Sequence, residues 1–88
     1  MDLSPTRLFI ASSELFSDFE VRISLYNIST IDDIIHTFKN ELRETLKKNN
    51  LMNLVRMLDD KDLHIHSYTI EAILTSDPED IFYICDHC

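Results

Sequence analysis

The side chains best suited to hold a metal or move a proton gather late in the chain: His64, His66, Cys85, His87 and Cys88. Thiolate and imidazole are the ligands of tetrahedral zinc, and two histidines two residues apart on a strand face the same way. A small zinc-binding domain using His64, His66, Cys85 and Cys88 is therefore one alternative. Structural zinc normally takes two close ligand couples on tight turns, whereas this CxxC follows a β-type run and has no second cysteine pair. The expectation is no metal, no cofactor and reduced thiols. A redox CxxC needs its first cysteine at a helix N-terminus, and a cysteine hydrolase needs a positioned histidine and an oxyanion hole. Neither pattern is present, so no catalytic residue is assigned and the chain is read as a non-enzyme.

A second constellation is acidic: Asp59, Asp60 and Asp62, followed by Glu71, Asp77, Glu79 and Asp80. Carboxylates on loops steer basic partners, an effect that salt weakens. The whole chain carries 16 acidic and 8 basic residues, a formal charge of -8. Such a surface repels phosphate backbones and anionic lipid, so neither nucleic acid nor membrane is an expected partner. Glycine is absent. That excludes glycine-rich phosphate loops and leaves Asn, Asp and Ser to make the turns.

The elements that must position these groups fit one domain of 88 residues. No apolar run approaches the ~20 residues of a membrane span, and no basic-then-apolar secretory pattern opens the chain, so a cytoplasmic location is expected. Residues 1–6 read as a polar leader and 7–88 as the domain, itself expected to be a fragment of a longer protein. Arg7 to Ala11 is a buried-type strand, and Phe19, Val21, Ile23 and Leu25 alternate with polar residues as a second strand, forming an antiparallel hairpin. Ile31, Ile34, Ile35, Phe38, Leu42 and Leu46 recur at helical spacing, with Thr30 as N-cap, Asp32 and Asp33 in the first turn, and Lys47 and Lys48 in the last. Leu54 to Leu58 reads as a third strand, Leu63 to His66 as a short return strand, Tyr68 to Leu74 as a helical turn, and Ile81 to Cys85 as the last strand.

This order of hairpin, helix, strand, short strand, helical turn and last strand, with TIDDII opening the helix, resembles the ubiquitin-like β-grasp superfamily from Arg7 to Cys85. The stretch VRMLDDKDLHIHSYTIEAILTSDPEDIFYIC is similar to the second half of a doublecortin domain, and the acidic run resembles the acidic motif of PB1 domains. The resemblance implies an α+β fold with a four- to five-stranded mixed sheet packed by one main helix. It implies a protein-binding scaffold module, cytoskeletal or centrosomal in the doublecortin case and a self-associating or pairing domain in the PB1 case. Doublecortin domains that grip microtubules use basic surfaces, so the acidic charge argues against direct lattice binding. No paired-glycine tail is present, so conjugation to other proteins is not expected.

The strand expected over Asn53 to Leu58 carries apolar residues in both phases. With Val55 and Met57 inward, Leu54, Arg56 and Leu58 face outward. Phe9 and Phe82 are expected beside them, forming an apolar docking patch around Arg56 on the open sheet face. Asp59, Asp60 and Asp62 form a second, electrostatic surface. The expected partner is a protein, with a basic surface or from the cytoskeleton, and self-association is an alternative.

Overall fold

Alternation in the N-terminal half becomes a hairpin. In the computed structural model, which describes residues 6–16, 19–65 and 67–86, Thr6–Ala11 forms β1 and Glu20–Ser24 forms β2. They pair antiparallel with Phe9 opposite Val21 and Leu8 opposite Arg22. Phe9, Val21 and Ile23 point to the core, and Glu20, Arg22 and Ser24 point to water. Residues 1–5 of the expected leader lie outside the described residues, and Thr6 belongs to β1.

The predicted helix is α1, Ile31–Lys48, and it buries Ile34, Phe38, Leu42 and Leu46 along one stripe. Burying these side chains is worth roughly 6–12 kcal/mol before chain entropy is subtracted. Thr30 closes a capping box: the Asp33 N–H donates to the Thr30 hydroxyl at 3.1 Å, and the Asp33 carboxylate accepts the Thr30 N–H at 3.2 Å. At the other end the Leu51 N–H reaches back to the Leu46 carbonyl at 2.9 Å, and the Asn50 N–H to the Lys47 carbonyl at 3.1 Å. This is a Schellman closure with Asn50 in the left-handed region at φ 60. Asn27 and Ser67 hold the other positive-φ positions among the described residues, so Asn and Ser supply turns that glycine makes elsewhere.

The third predicted strand is instead a helix. Met52–Asp59 forms α2, burying Val55 and Leu58 with Leu51 and Leu54 half-buried beside them. Positions 51, 54, 55 and 58 follow the three-and-four spacing of a helix face, and a strand would have pushed two leucines into solvent. His64–Ile65 forms β3, the expected short return strand. Ile70–Leu74 forms α3, capped by Thr69, whose hydroxyl accepts the Ala72 N–H at 3.2 Å. Ile81–Cys85 forms β4.

The result is an α+β domain with a four-stranded mixed sheet in the order β2-β1-β4-β3. β1 and β4 run parallel at its centre, while β2 and β3 pair antiparallel at its edges. α1 and α2 pack together, and the core between helices and sheet is built on Phe9, Phe16, Ile23, Phe38, Leu42, Leu58, Ile73 and Ile84. Phe9 and Phe82 meet with ring centroids 5.4 Å apart, and Tyr68 meets Phe82 edge-on at 4.8 Å. No helix among the described residues is long and apolar enough to cross a membrane.

Candidate functional site on the open face of the sheet

One face of the sheet is covered by α1 and the core; the other is assembled by register alone. Leu8 stands beside Ile81, and Ile10 beside Tyr83, across the parallel pair. On the far side of β1, Arg22 stands opposite Leu8 and Glu20 opposite Ile10. Two rows therefore cross the open face, Arg22–Leu8–Ile81 and Glu20–Ile10–Tyr83. Ile81 and Tyr83 are 42% and 45% exposed, while Leu8 and Ile10 are half-buried between their neighbours. The next position in this phase of β4 is Cys85, opposite His64, and it is only 7% exposed. An isoleucine and a tyrosine side by side, flanked by two aliphatics and one ion of each sign, have the composition of a protein-docking surface.

The predicted patch is corrected in its residues. Phe9 and Phe82 are 0% and 2% exposed because they occupy the inward phase of β1 and β4. Leu58 is likewise 0% exposed, since it lies on the inner stripe of α2, and Leu54 is half-buried at that stripe's rim. Arg56 is exposed, but on a helix outside the sheet. None of the five stands on the open face. The signal for the true phase was in β4: a tyrosine hydroxyl keeps a partner most easily at the surface, so Tyr83 goes outward and Phe82 inward.

The acidic constellation does not form one cluster. Asp59 pairs with Arg43 of α1, tying the two helices together. Asp60 caps α2, and Asp60 and Asp62 are exposed, with no ion pair among the described residues. Asp62 leads into β3 beside the end of β4, whereas Asp77, Glu79 and Asp80 lead into its start. The length of β4 thus separates the two groups by roughly 13 Å. At the Asp60 and Asp62 end, Lys61 bonds Asp86 at 3.2 Å, and Lys39 donates to the Lys61 carbonyl, anchoring this loop to α1 and β4.

Of the zinc alternative, His64 is exposed at the sheet edge and Cys85 is disulfide-bonded, contrary to the expected reduced thiol. A bonded sulfur is no zinc ligand. His66 and Cys88 lie outside the described residues, as does His87. Among the described residues no group of three His, Cys, Asp or Glu converges as a metal site would require.

A polar cleft is lined by Ser12, Ser13, Glu14, Leu15, Lys61 and Asp86. Its hydroxyls serve the backbone: Ser12 donates to the Ile84 carbonyl at 3.4 Å, and Ser13 accepts the Leu15 N–H at 3.1 Å. With Lys61 bonded to Asp86, this arrangement holds a loop in place.

Compared with known proteins, the chain matches no family model, no curated protein and no solved structure.

Proposed function

We propose that this domain is a non-enzymatic β-grasp interaction module that binds a protein partner through the open face of its sheet. The fold part of the proposal rests on topology. A hairpin followed by a helix that crosses it, with the last strand inserted parallel to the first, gives the order β2-β1-β4-β3 characteristic of that architecture. The functional part rests on one observation: Ile81 and Tyr83 stand partly exposed on adjacent rows of the open face, beside Leu8 and Ile10. Large apolar side chains grouped in this way lower their free energy by leaving water against another surface. A cytoskeletal or scaffold partner is the setting that the doublecortin resemblance suggests, with Asp60 and Asp62 available to steer it.

The test is affinity capture from a native extract with wild-type protein, Ile81→Glu/Tyr83→Glu, and the control Arg56→Glu/Met57→Glu on the exposed side of α2. With all three folded by circular dichroism, the sheet-face variant loses the partner that the wild type and the α2 control both retain. A partner held equally by all three counts against the open face.

A further inference from the structure

β2 is an edge strand, and its hydrogen-bonding groups divide cleanly between the sheet and the outside. The Ala11 N–H donates to the Phe19 carbonyl at 3.3 Å, which makes Ala11–Phe19 a hydrogen-bonded pair. In an antiparallel ladder the pattern repeats every second residue, so Phe9–Val21 and Arg7–Ile23 are bonded in the same way. The N–H and C=O groups of Glu20, Arg22 and Ser24 therefore point away from β1. The opposite edge, β3, is two residues long and too short to template a strand. β2 is five residues long and carries neither proline nor lysine, the usual guards of an open edge. Its two charges, Glu20 and Arg22, have opposite sign and sit two residues apart on one face.

We propose that β2 pairs antiparallel with β2 of a second copy about a twofold axis at Val21, joining two sheets into one. The outward groups of Glu20 meet those of Arg22 in the partner, and the reverse, giving about four main-chain hydrogen bonds. The same register sets each Glu20 carboxylate across from an Arg22 guanidinium, twice over. On the inner face it sets Val21 against Val21 and Phe19 against Ile23. Centring on Glu20 or on Arg22 would oppose like charges, and centring on Ile23 would leave Glu20 without its arginine. The charge pattern of the edge thus selects a second copy of this chain in a single register. A twofold axis perpendicular to the sheet keeps both open faces on the same side.

This pairing is independent of what the open face binds, and sedimentation velocity at about 0.15 M salt reads it directly. The wild type is compared with Arg22→Glu, with Glu20→Arg, with an equimolar mixture of the two, and with the double swap Glu20→Arg/Arg22→Glu. Both side chains are exposed, so the fold is retained, as circular dichroism checks. The expected result is a wild-type dimer, at least about tenfold weaker association in each single variant, and recovery in the mixture and the double swap. General repulsion between two chains of charge -8 would instead make Glu20→Arg associate more tightly, because that change lowers the net charge. A wild type that stays monomeric up to about 1 mM, single variants as tight as wild type, or a mixture that fails to recover each overturns the proposal.

Discussion

The Arg7 guanidinium reaches from β1 to Ser76, with its Nε 2.9 Å from the hydroxyl, and Ser76 donates in turn to the Ile73 carbonyl at 2.7 Å. A second guanidinium nitrogen donates to the Ser76 carbonyl, and a third to the Thr6 carbonyl at 3.2 Å. Arg7 is 5% exposed and has no ion pair among the described residues, so its charge is carried by these oxygens. Ser76→Ala is expected to cost about 1–3 kcal/mol by urea denaturation, because it leaves a buried guanidinium nitrogen short of a partner. Arg7→Lys is expected to lose stability as well, since an ammonium lacks the planar fork that grips hydroxyl and carbonyl together. Equal midpoints for Ser76→Ala and wild type would show that the contact carries no weight.

The helical phase of α2 makes a prediction that the strand reading would invert. Leu58 is fully buried while Met57 is 45% exposed. Leu58→Ala should cost about 2–5 kcal/mol, and Met57→Ala should stay within about 0.5 kcal/mol of wild type. Were 54–58 a strand with Val55 and Met57 inward, Met57 would be the expensive position. Two denaturation curves decide between them.

The capping box gives the domain a pH signature. The Ser29 N–H bonded to the Asp33 carboxylate at 3.1 Å, with the Thr30 hydroxyl and N–H, holds the Asp33 pKa below its ordinary 3.8, outweighing a smaller upward push from desolvation. A carboxylate with a lowered folded pKa stabilises the fold above the unfolded value, and that contribution disappears as pH falls through the folded one. Asp33→Asn should therefore melt below wild type at neutral pH, with the gap closing in the window that opens near the ordinary 3.8 and extends to lower pH. A gap that stays constant through that window would remove the carboxylate from the account.

How far the residues alone revealed this arrangement depended on whether one face of an element was plainly polar. β2 was legible because Glu20, Arg22 and Ser24 leave only one way to bury the strand, and α1 because its apolar stripe is bracketed by Thr30 and Asn50. β1 was found but turned the wrong way, with Phe9 on the open face, since Leu8, Phe9 and Ile10 satisfy both phases. The choice needs β4 beside it, where Phe82 packs on Phe9 and Tyr83 stands over Ile10. α2 was misread because Leu54 to Leu58 is short and apolar on both phases, and the deciding residue, Leu51, lies outside that stretch. Both errors fell on the proposed site. The open face survives as a surface, but it is built from Leu8, Ile10, Ile81 and Tyr83. Arg7 was missed for a different reason: an arginine beginning an apolar strand reads as its wet end, and two of its three oxygens come from a loop 69 residues downstream.

The parallel union of β1 with β4 has a further consequence, because it joins the earliest strand to the latest one. During synthesis the hairpin and α1 leave the ribosome first, with the inner edge of β1 unmatched and its phenylalanine uncovered. The closing strand must then return across almost the whole polypeptide to slot between β1 and β3. Such a long-range step carries a high entropic barrier and makes folding slower than in a domain stitched from near neighbours. Until it happens the nascent molecule displays a sticky, half-built sheet, the stage at which it most needs protection from its neighbours.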